Sequence, residues 1–425
     1  MQLGQWDEAL AKVDPSSLLP RRTETHSYAI TGPLHLIDSL HVASNLYLCI
    51  IKDQKGSIFS IPIILASERI RRVIAGDGLS EELTRFPIGT SIVGNFTINN
   101  TYNNLSSGER AIGVDQTEES IIVGKKTIIK YFSQISETFF TSLPKLQVLS
   151  AAGFKDMPSL LATIQWKFDG EQYLLALMTE YIPDSDDGWT WAVEMAQEFL
   201  DDERSLESAT EFGFKLGKIL AHMHEAFIAN THLQSDSKLH DQWVSSALSD
   251  LEVALSLLPG NEGDLLRSLI PAITAEFNKL GNILSQTLSW THGDFHVGQI
   301  LKTPSNDYLI IDFDGNPVAD RNLQSTYQPL IQDLASLLQS IDHAARVVDQ
   351  RIGVTRTPEL EVWIRGAQEN VLKSYEANTG ISTDYSLLKL FQIQQEFREF
   401  VYAQRHLPVW LYVPQAAIAA LLRDN

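Results

Sequence analysis

The sequence predicts an α+β chain with a β-rich cap over residues 1–105, a β-rich lobe over 106–184 and a helical lobe over 185–425. Two features predict this. Short apolar runs bounded by turn residues fill the chain as far as Pro183-Asp184. Beyond that point apolar residues recur at helical spacing, interrupted by one strand-like run at 308–313.

In the cap, Leu46–Lys52, Ser57–Ala66 and Ser91–Ile98 read as strands, with Lys55-Gly56 and Gly76-Asp77-Gly78 as turns. In the next lobe Arg110–Asp115 and Ser120–Phe132 read as a hairpin-like pair. Thr163–Phe168 and Tyr173–Tyr181 flank Asp169-Gly170, a strong hairpin signal. In the helical lobe Phe212, Leu216, Ile219, Leu220, Met223 and Phe227 share one face of a helix, and similar stretches run through 240–258, 262–284, 328–348, 359–377 and 387–406.

Composition narrows the function classes. With 425 residues, 44% hydrophobic and 20% charged, the chain is an ordinary globular protein of more than one domain. A formal charge of −20 repels nucleic acid and anionic lipid and attracts cations. The single cysteine, Cys49, sits in an apolar run and excludes an intrachain disulfide or a multi-cysteine metal site. Neither a basic segment leading into an apolar stretch nor an apolar run of about 18 residues is present, so a cytoplasmic protein without a membrane partner is expected.

The most informative stretch is Trp290–Pro317, WTHGDFHVGQILKTPSNDYLIIDFDGNP. His292-Gly293-Asp294 is followed by Gln299 and, after an apolar run, by Asp312-Phe313-Asp314-Gly315. Protein kinases space H-R-D-x-x-x-x-N and D-F-G in this way, and the sequence therefore predicts a protein-kinase-like bilobal fold carrying an extra cap. A hard cation needs oxygen ligands from two chain segments, while another carboxylate must face the acceptor hydroxyl. Asp294 is the expected base, and Gln299 and Asp312 are the expected Mg2+ ligands. A competing zinc reading of His292 and His296 places Gly293 where the general-base glutamate belongs, on a poor helix former.

A kinase also needs a strand lysine for the nucleotide phosphates, and Lys130 ends Thr127-Ile128-Ile129-Lys130. No glycine-rich loop precedes it. The turn Asp115–Ser120 takes that place, with Thr117 and Ser120 as expected phosphate contacts and the carboxylates of Asp115, Glu118 and Glu119 opposing an anion. Gln147 is the expected helix partner of the lysine. Adenine is expected on the main chain of Glu180 and Ile182.

The chain resembles the bacterial maltokinase group of the aminoglycoside-phosphotransferase-like superfamily, and most closely its glucosamine kinases. The resemblance rests on Val114-Asp115-Gln116-Thr117 with Ile122-Val123-Gly124, Asp187-Gly188-Trp189, His292–Leu301, Asp312–Pro317, Ile341-Asp342-His343 and Gln395–Pro414. It implies transfer of the ATP γ-phosphate to the 6-hydroxyl of glucosamine. Asp294 matches the family's catalytic aspartate, and Gln299 and Asp312 match its metal ligands. Asp342, His343, Glu399 and Trp410 have the residue types of a sugar site, and a monomer is expected. The alternatives are a maltokinase, an aminoglycoside-type phosphotransferase, or a kinase-like binding protein without catalysis.

Overall fold

The structure is a computed structural model that describes residues 3–19, 30–66, 69–103, 107–112, 119–135, 142–230, 232–280, 285–315, 327–352 and 356–423. Two compact units emerge, one formed by Met1–Leu143 with Pro158–Pro183 and the other by Pro144–Met157 with Asp184–Asn425.

The first unit opens with helix α1 (Leu3–Leu10). Strands β1 (His35–Ala43), β2 (Leu46–Lys52), β3 (Ile58–Ala66) and β4 (Arg69–Arg72) form antiparallel pairs in one sheet. Strands β2 and β3 are buried on both faces, which is why these two read as near-continuous apolar runs. Cys49, Ile51, Phe59, Ile61 and Ile63 pack with Trp6 and Leu10 of α1. Leu48, Ile50 and Ile64 pack on the other side, and burial holds the Cys49 thiol well above its ordinary pKa.

After α2 (Leu79–Leu83) come β5 (Gly89–Val93), β6 (Phe96–Asn100), β7 (Glu109–Ala111), β8 (Glu119–Val123), β9 (Thr127–Tyr131) and the short β10 (Gln134–Ile135), which pairs with β3. With β11 (Leu160–Phe168) and β12 (Glu171–Glu180), all but β10 build a seven-stranded sheet in the order β5-β6-β11-β12-β9-β8-β7. The β11–β12 turn takes positive φ at Asp169 (51°) and Gly170 (91°), the primed geometry that an Asp-Gly pair accommodates.

Two expectations change here. Strands β5 and β6 lie before residue 105 yet pair into the sheet expected to begin at 106, so that boundary does not divide the structure. One core also runs from Leu40 and Leu48 of the first sheet to Ile129, Ile164 and Trp166 of the second. In addition, Ser120–Phe132 is itself a hairpin, β8 to β9, because Gly124 at φ 60° turns the chain.

The second unit begins with α3 (Ser142–Ala151) and continues with α4 (Gly188–Leu200), α5 (Leu206–Thr210), α6 (Phe212–Asn230), β13 (Leu233–Gln234), α7 (Ser237–Leu257), α8 (Gly260–Asn278) and β14 (Thr287–Ser289). There follow the hairpin of β15 (Ile300–Lys302) and β16 (Tyr308–Ile310), then β17 (Gln328–Pro329), α9 (Ile331–Ile352), α10 (Thr357–Thr379), α11 (Tyr385–His406) and α12 (Tyr412–Arg423). Gly213 and Gly217 let α6 lie directly on α10, since a Cβ at either would come within 2.5 and 2.3 Å of the Ala367 and Val371 carbonyls. None of the described helices is long and apolar enough to cross a membrane.

Candidate active site

The loop between β14 and β15 carries Asp294, and the β15–β16 hairpin brings Gln299 beside Asp312. Ile300 pairs with Ile310, and the Ile311 amide donates to the Gln299 carbonyl at 2.9 Å. The next residue is Asp312, exposed and at φ 61°, a conformation that turns the chain sharply away from the hairpin. Gln299 and Asp312 therefore stand at adjoining ends of one hairpin.

Asp294 is held beside His296, whose Nε2 lies 3.5 Å from Oδ2. The His296 Nδ1 accepts the Gly298 amide at 3.1 Å, so the ring presents Nε2–H towards Asp294. Burial pushes the Asp294 carboxyl up. His296, His292 and a Gln299 hydrogen bond outweigh that, and its pKa falls below the ordinary carboxylate value. Burial likewise opposes charge on His296, but Asp294, Glu399 and Asp312 raise it. The Asp294 carboxyl is thus ionised at neutral pH.

His292 is wholly buried and neutral in character. Its Nε2 donates to the Ile311 carbonyl at 2.9 Å while Nδ1 accepts the Asp294 amide at 3.3 Å, and burial lowers its pKa. Its ring packs on Phe313 at 4.9 Å between centroids, coupling the two loops.

Several supports are invisible in the local sequence. Asp333, in the first turn of α9, accepts the His292 amide at 2.6 Å and the Gly293 amide at 2.9 Å. His224 of α6 lies 3.1 Å from the same carboxylate and 2.8 Å from the Tyr375 hydroxyl of α10. Burial raises the Asp333 pKa, but His224, His292 and the Gly293 amide more than reverse it.

Gly188 shows why Asp187-Gly188-Trp189 stands out. Asp187 caps α4 through the Thr190 amide, and Gly188 lies against the loop so closely that a Cβ would fall 1.5 Å from the Val297 carbonyl oxygen. Gly188→Ala is expected to destabilise the unit by about 1–3 kcal/mol and, by displacing the loop, to cut turnover by about 10²-fold. Thermal melts and initial rates on the purified variant check both.

Aromatic side chains gather beside His296. Trp189 lies 5.9 Å from the His296 ring and 5.8 Å, edge-on, from Trp410. Glu399 on α11 is half-buried and accepts from Gln395 at 3.2 Å; with Asp294 it raises the pKa of His296, and it adds to the burial that raises that of Tyr402.

Asp342 and His343, expected near the sugar, both have partners within the protein. Both oxygens of buried Asp342 bind Arg346, at 3.0 and 2.8 Å. His343 lies 2.9 Å from buried Glu396, which, against the effect of burial, pushes its pKa up to about 9. The Asp342–Arg346 pair lies within α9, whereas the His343–Glu396 pair joins α9 to α11.

In the β-rich unit Lys130 and Ser120 face each other across β8–β9, and the lysine ammonium lies 5.9 Å from the Phe132 ring. Of the expected phosphate turn, residues 115–118, Thr117 included, fall outside the described residues. Glu119 is paired with Arg72 and so opposes an anion less than expected. The Glu180 amide donates to the Ser159 carbonyl at 2.9 Å, and Ile182 is half-buried. Gln147, expected to orient a lysine, points to solvent, because two positions earlier Lys145 takes the buried face of α3.

An ionised carboxylate on a tight loop, followed by a glutamine and an aspartate on one paired hairpin, is an arrangement that suits a kinase-like phosphotransferase. The phosphotransferase enzyme family model matches residues 146–362. A glucosamine kinase from Streptacidiphilus jiangxiensis is 30% identical over 99% of this chain and 98% of its own length. Another, from Mycolicibacterium smegmatis, is 32% identical over 84% of this chain and 90% of its own. A solved glucosamine kinase in complex with glucosamine, ADP and inorganic phosphate superposes with a TM-score of 0.81 at 29% identity, covering 98% of this chain and 99% of that one. The chain belongs to the phosphotransferase enzyme family and, within it, to the glucosamine kinases.

Proposed function

We propose that this protein is an ATP-dependent glucosamine kinase that phosphorylates the 6-hydroxyl. The observation that carries the acceptor class is the pair of carboxylates, Asp294 and Glu399, acting on one imidazole, His296, beside the half-exposed indole of Trp410. That surrounding suits a ring with hydroxyls and one ammonium. Glu399 and Trp410 are the substrate-binding residues of this reading.

Asp294, ionised and held by His296, accepts the hydrogen bond of the acceptor hydroxyl and takes its proton as the new oxygen–phosphorus bond forms and ADP leaves. Gln299 and Asp312 offer oxygen donors suited to Mg2+, which takes few protein ligands and completes its shell with phosphates and water. When bound, the ion neutralises charge developing on the phosphates. Lys130, Ser120 and Thr117 bind the nucleotide phosphates in this reading, and the main chain of Glu180 and Ile182 binds adenine.

A charge-assisted hydrogen bond to the ammonium is worth about 1.5–3 kcal/mol, so glucosamine is favoured over glucose by roughly 10- to 100-fold. The test is magnesium-dependent ATP turnover with glucosamine, glucose, maltose, kanamycin or no acceptor, with the product position read by phosphorus NMR. Strong stimulation by glucosamine and a 6-phosphate product are expected. A 1-phosphate, or preference for maltose, would overturn the acceptor assignment while leaving a kinase.

A further inference from the structure

Helix α3 carries a charged residue for which the reaction described above has no use. Lys145 is 4% exposed, and its Nζ lies 3.0 Å from the His292 carbonyl and 3.3 Å from the Phe313 carbonyl. The two acceptors belong to different segments. His292 lies two residues before the base, and Phe313 follows Asp312 directly. The segments meet closely here, since a Cβ on Gly293 would stand 3.3 Å from the Gly315 Cα and 3.9 Å from the lysine nitrogen.

The loop after the helix is fastened to the same region, where the Asp156 carbonyl accepts the Ile310 amide at 2.8 Å. The segment 144–157 therefore packs with the helical unit although the strands before and after it belong to the other. Asp333 and Asp314 supply the negative potential around the ammonium, against the burial that draws its pKa down to about 8. An apolar side chain of similar length would fill the space without desolvating a charge, so packing alone does not account for a cation at this point.

We propose that Lys145 is a positioning residue for phosphoryl transfer: its ammonium ties the loop bearing Asp294 to the loop bearing Asp312 and so sets the spacing between base and metal-binding carboxylate. The proposal rests on the kinase reading. A main-chain carbonyl offers no charge of its own, and a multi-donor cation is the side chain suited to holding two of them from separate loops. Displacement of either loop by about 1 Å separates the groups that must act on one phosphoryl transfer, with a cost on the order of 10²-fold in rate.

The test compares Lys145→Met and Lys145→Arg for kcat, for the KM of ATP and glucosamine, and for the rise in melting temperature on adding ADP with magnesium. The Met variant is expected to lose about 30- to 100-fold in kcat, with both KM values within about threefold and the ADP-dependent rise retained. The Arg variant, which keeps a cationic multi-donor group, is expected to recover at least about fivefold of that loss. A Met variant with kcat within about threefold of wild type, or Met and Arg variants equally impaired, would overturn the positioning role. Should the Met variant not fold, Lys145→Gln decides: a shorter neutral donor is expected to give intermediate turnover, and wild-type turnover would overturn the proposal. Wild type measured in parallel keeps the readings apart. An inactive wild type sinks the acceptor assignment, whereas an active wild type with an equally active Met variant sinks only the role of Lys145.

Discussion

Replacing Asp294 by asparagine is expected to lower kcat by about 10²–10⁴, equivalent to roughly 2.7–5.5 kcal/mol of transition-state stabilisation. Asparagine matches the size of the side chain but cannot take the hydroxyl proton. It also removes the negative charge that draws the His296 Nε2–H, 3.5 Å away, into place. ADP with magnesium should still raise the melting temperature of the variant, because the oxygen donors assigned to the metal, Gln299 and Asp312, remain. The combination is diagnostic. Loss of turnover with nucleotide stabilisation intact fits a base, loss of both fits a metal ligand, and unchanged turnover removes Asp294 from the chemistry.

Asp333→Ala is expected to be the most destabilising of the substitutions considered. One carboxylate accepts the His292 and Gly293 amides and lies 3.1 Å from the imidazole of His224. Removing it leaves a buried amide without its acceptor and breaks a buried pair, at a cost of about 3–5 kcal/mol. For a unit of this size that lowers the melting temperature on the order of 10 °C. Turnover should fall by about 10²-fold, since the backbone that presents Asp294 is no longer held. Asparagine should recover part of the stability, because its one carbonyl oxygen can satisfy one amide.

The pH dependence of this loss has a definite sign. The folded pKa of Asp333 lies below its ordinary value of 3.8. Its contribution is therefore fully present above that ordinary value and is lost as pH falls through the depressed folded value. Denaturant melts at neutral and acid pH should show the difference between wild type and the Ala variant shrinking in acid. A difference independent of pH would mean that the ionised carboxylate is not the stabilising form.

The elements legible in the sequence share one property, which is that their determinants lie close together in the chain. Leu46–Lys52 appears as a strand with those same limits, and Asp169-Gly170 makes the hairpin its residue types require. Most helices of the second unit follow their apolar spacing, whereas α4 and α12 are not among the stretches read from it. The boundary at 105 was not legible. Strands β5 and β6 are short and turn-flanked like those of the cap, and only their pairing with β11 assigns them to the larger sheet.

The same division runs through the site. The relation of Asp294, Gln299 and Asp312 was determined by the sequence alone, because a tight loop followed by a short hairpin leaves these side chains few other arrangements. Residue type also pointed to Asp342 and His343 as sugar ligands, but not to the partners they take in the packed helices, Arg346 and Glu396. Tertiary structure alone decided what holds the loop: Asp333 from 40 residues downstream of Gly293, His224 from 109 residues before Asp333, and Lys145 from 147 residues before His292. Such contacts have no periodicity and no fixed spacing. They arise when buried amides and carbonyls, cut off from water by the folding of distant helices, must find partners among whatever side chains those helices bring.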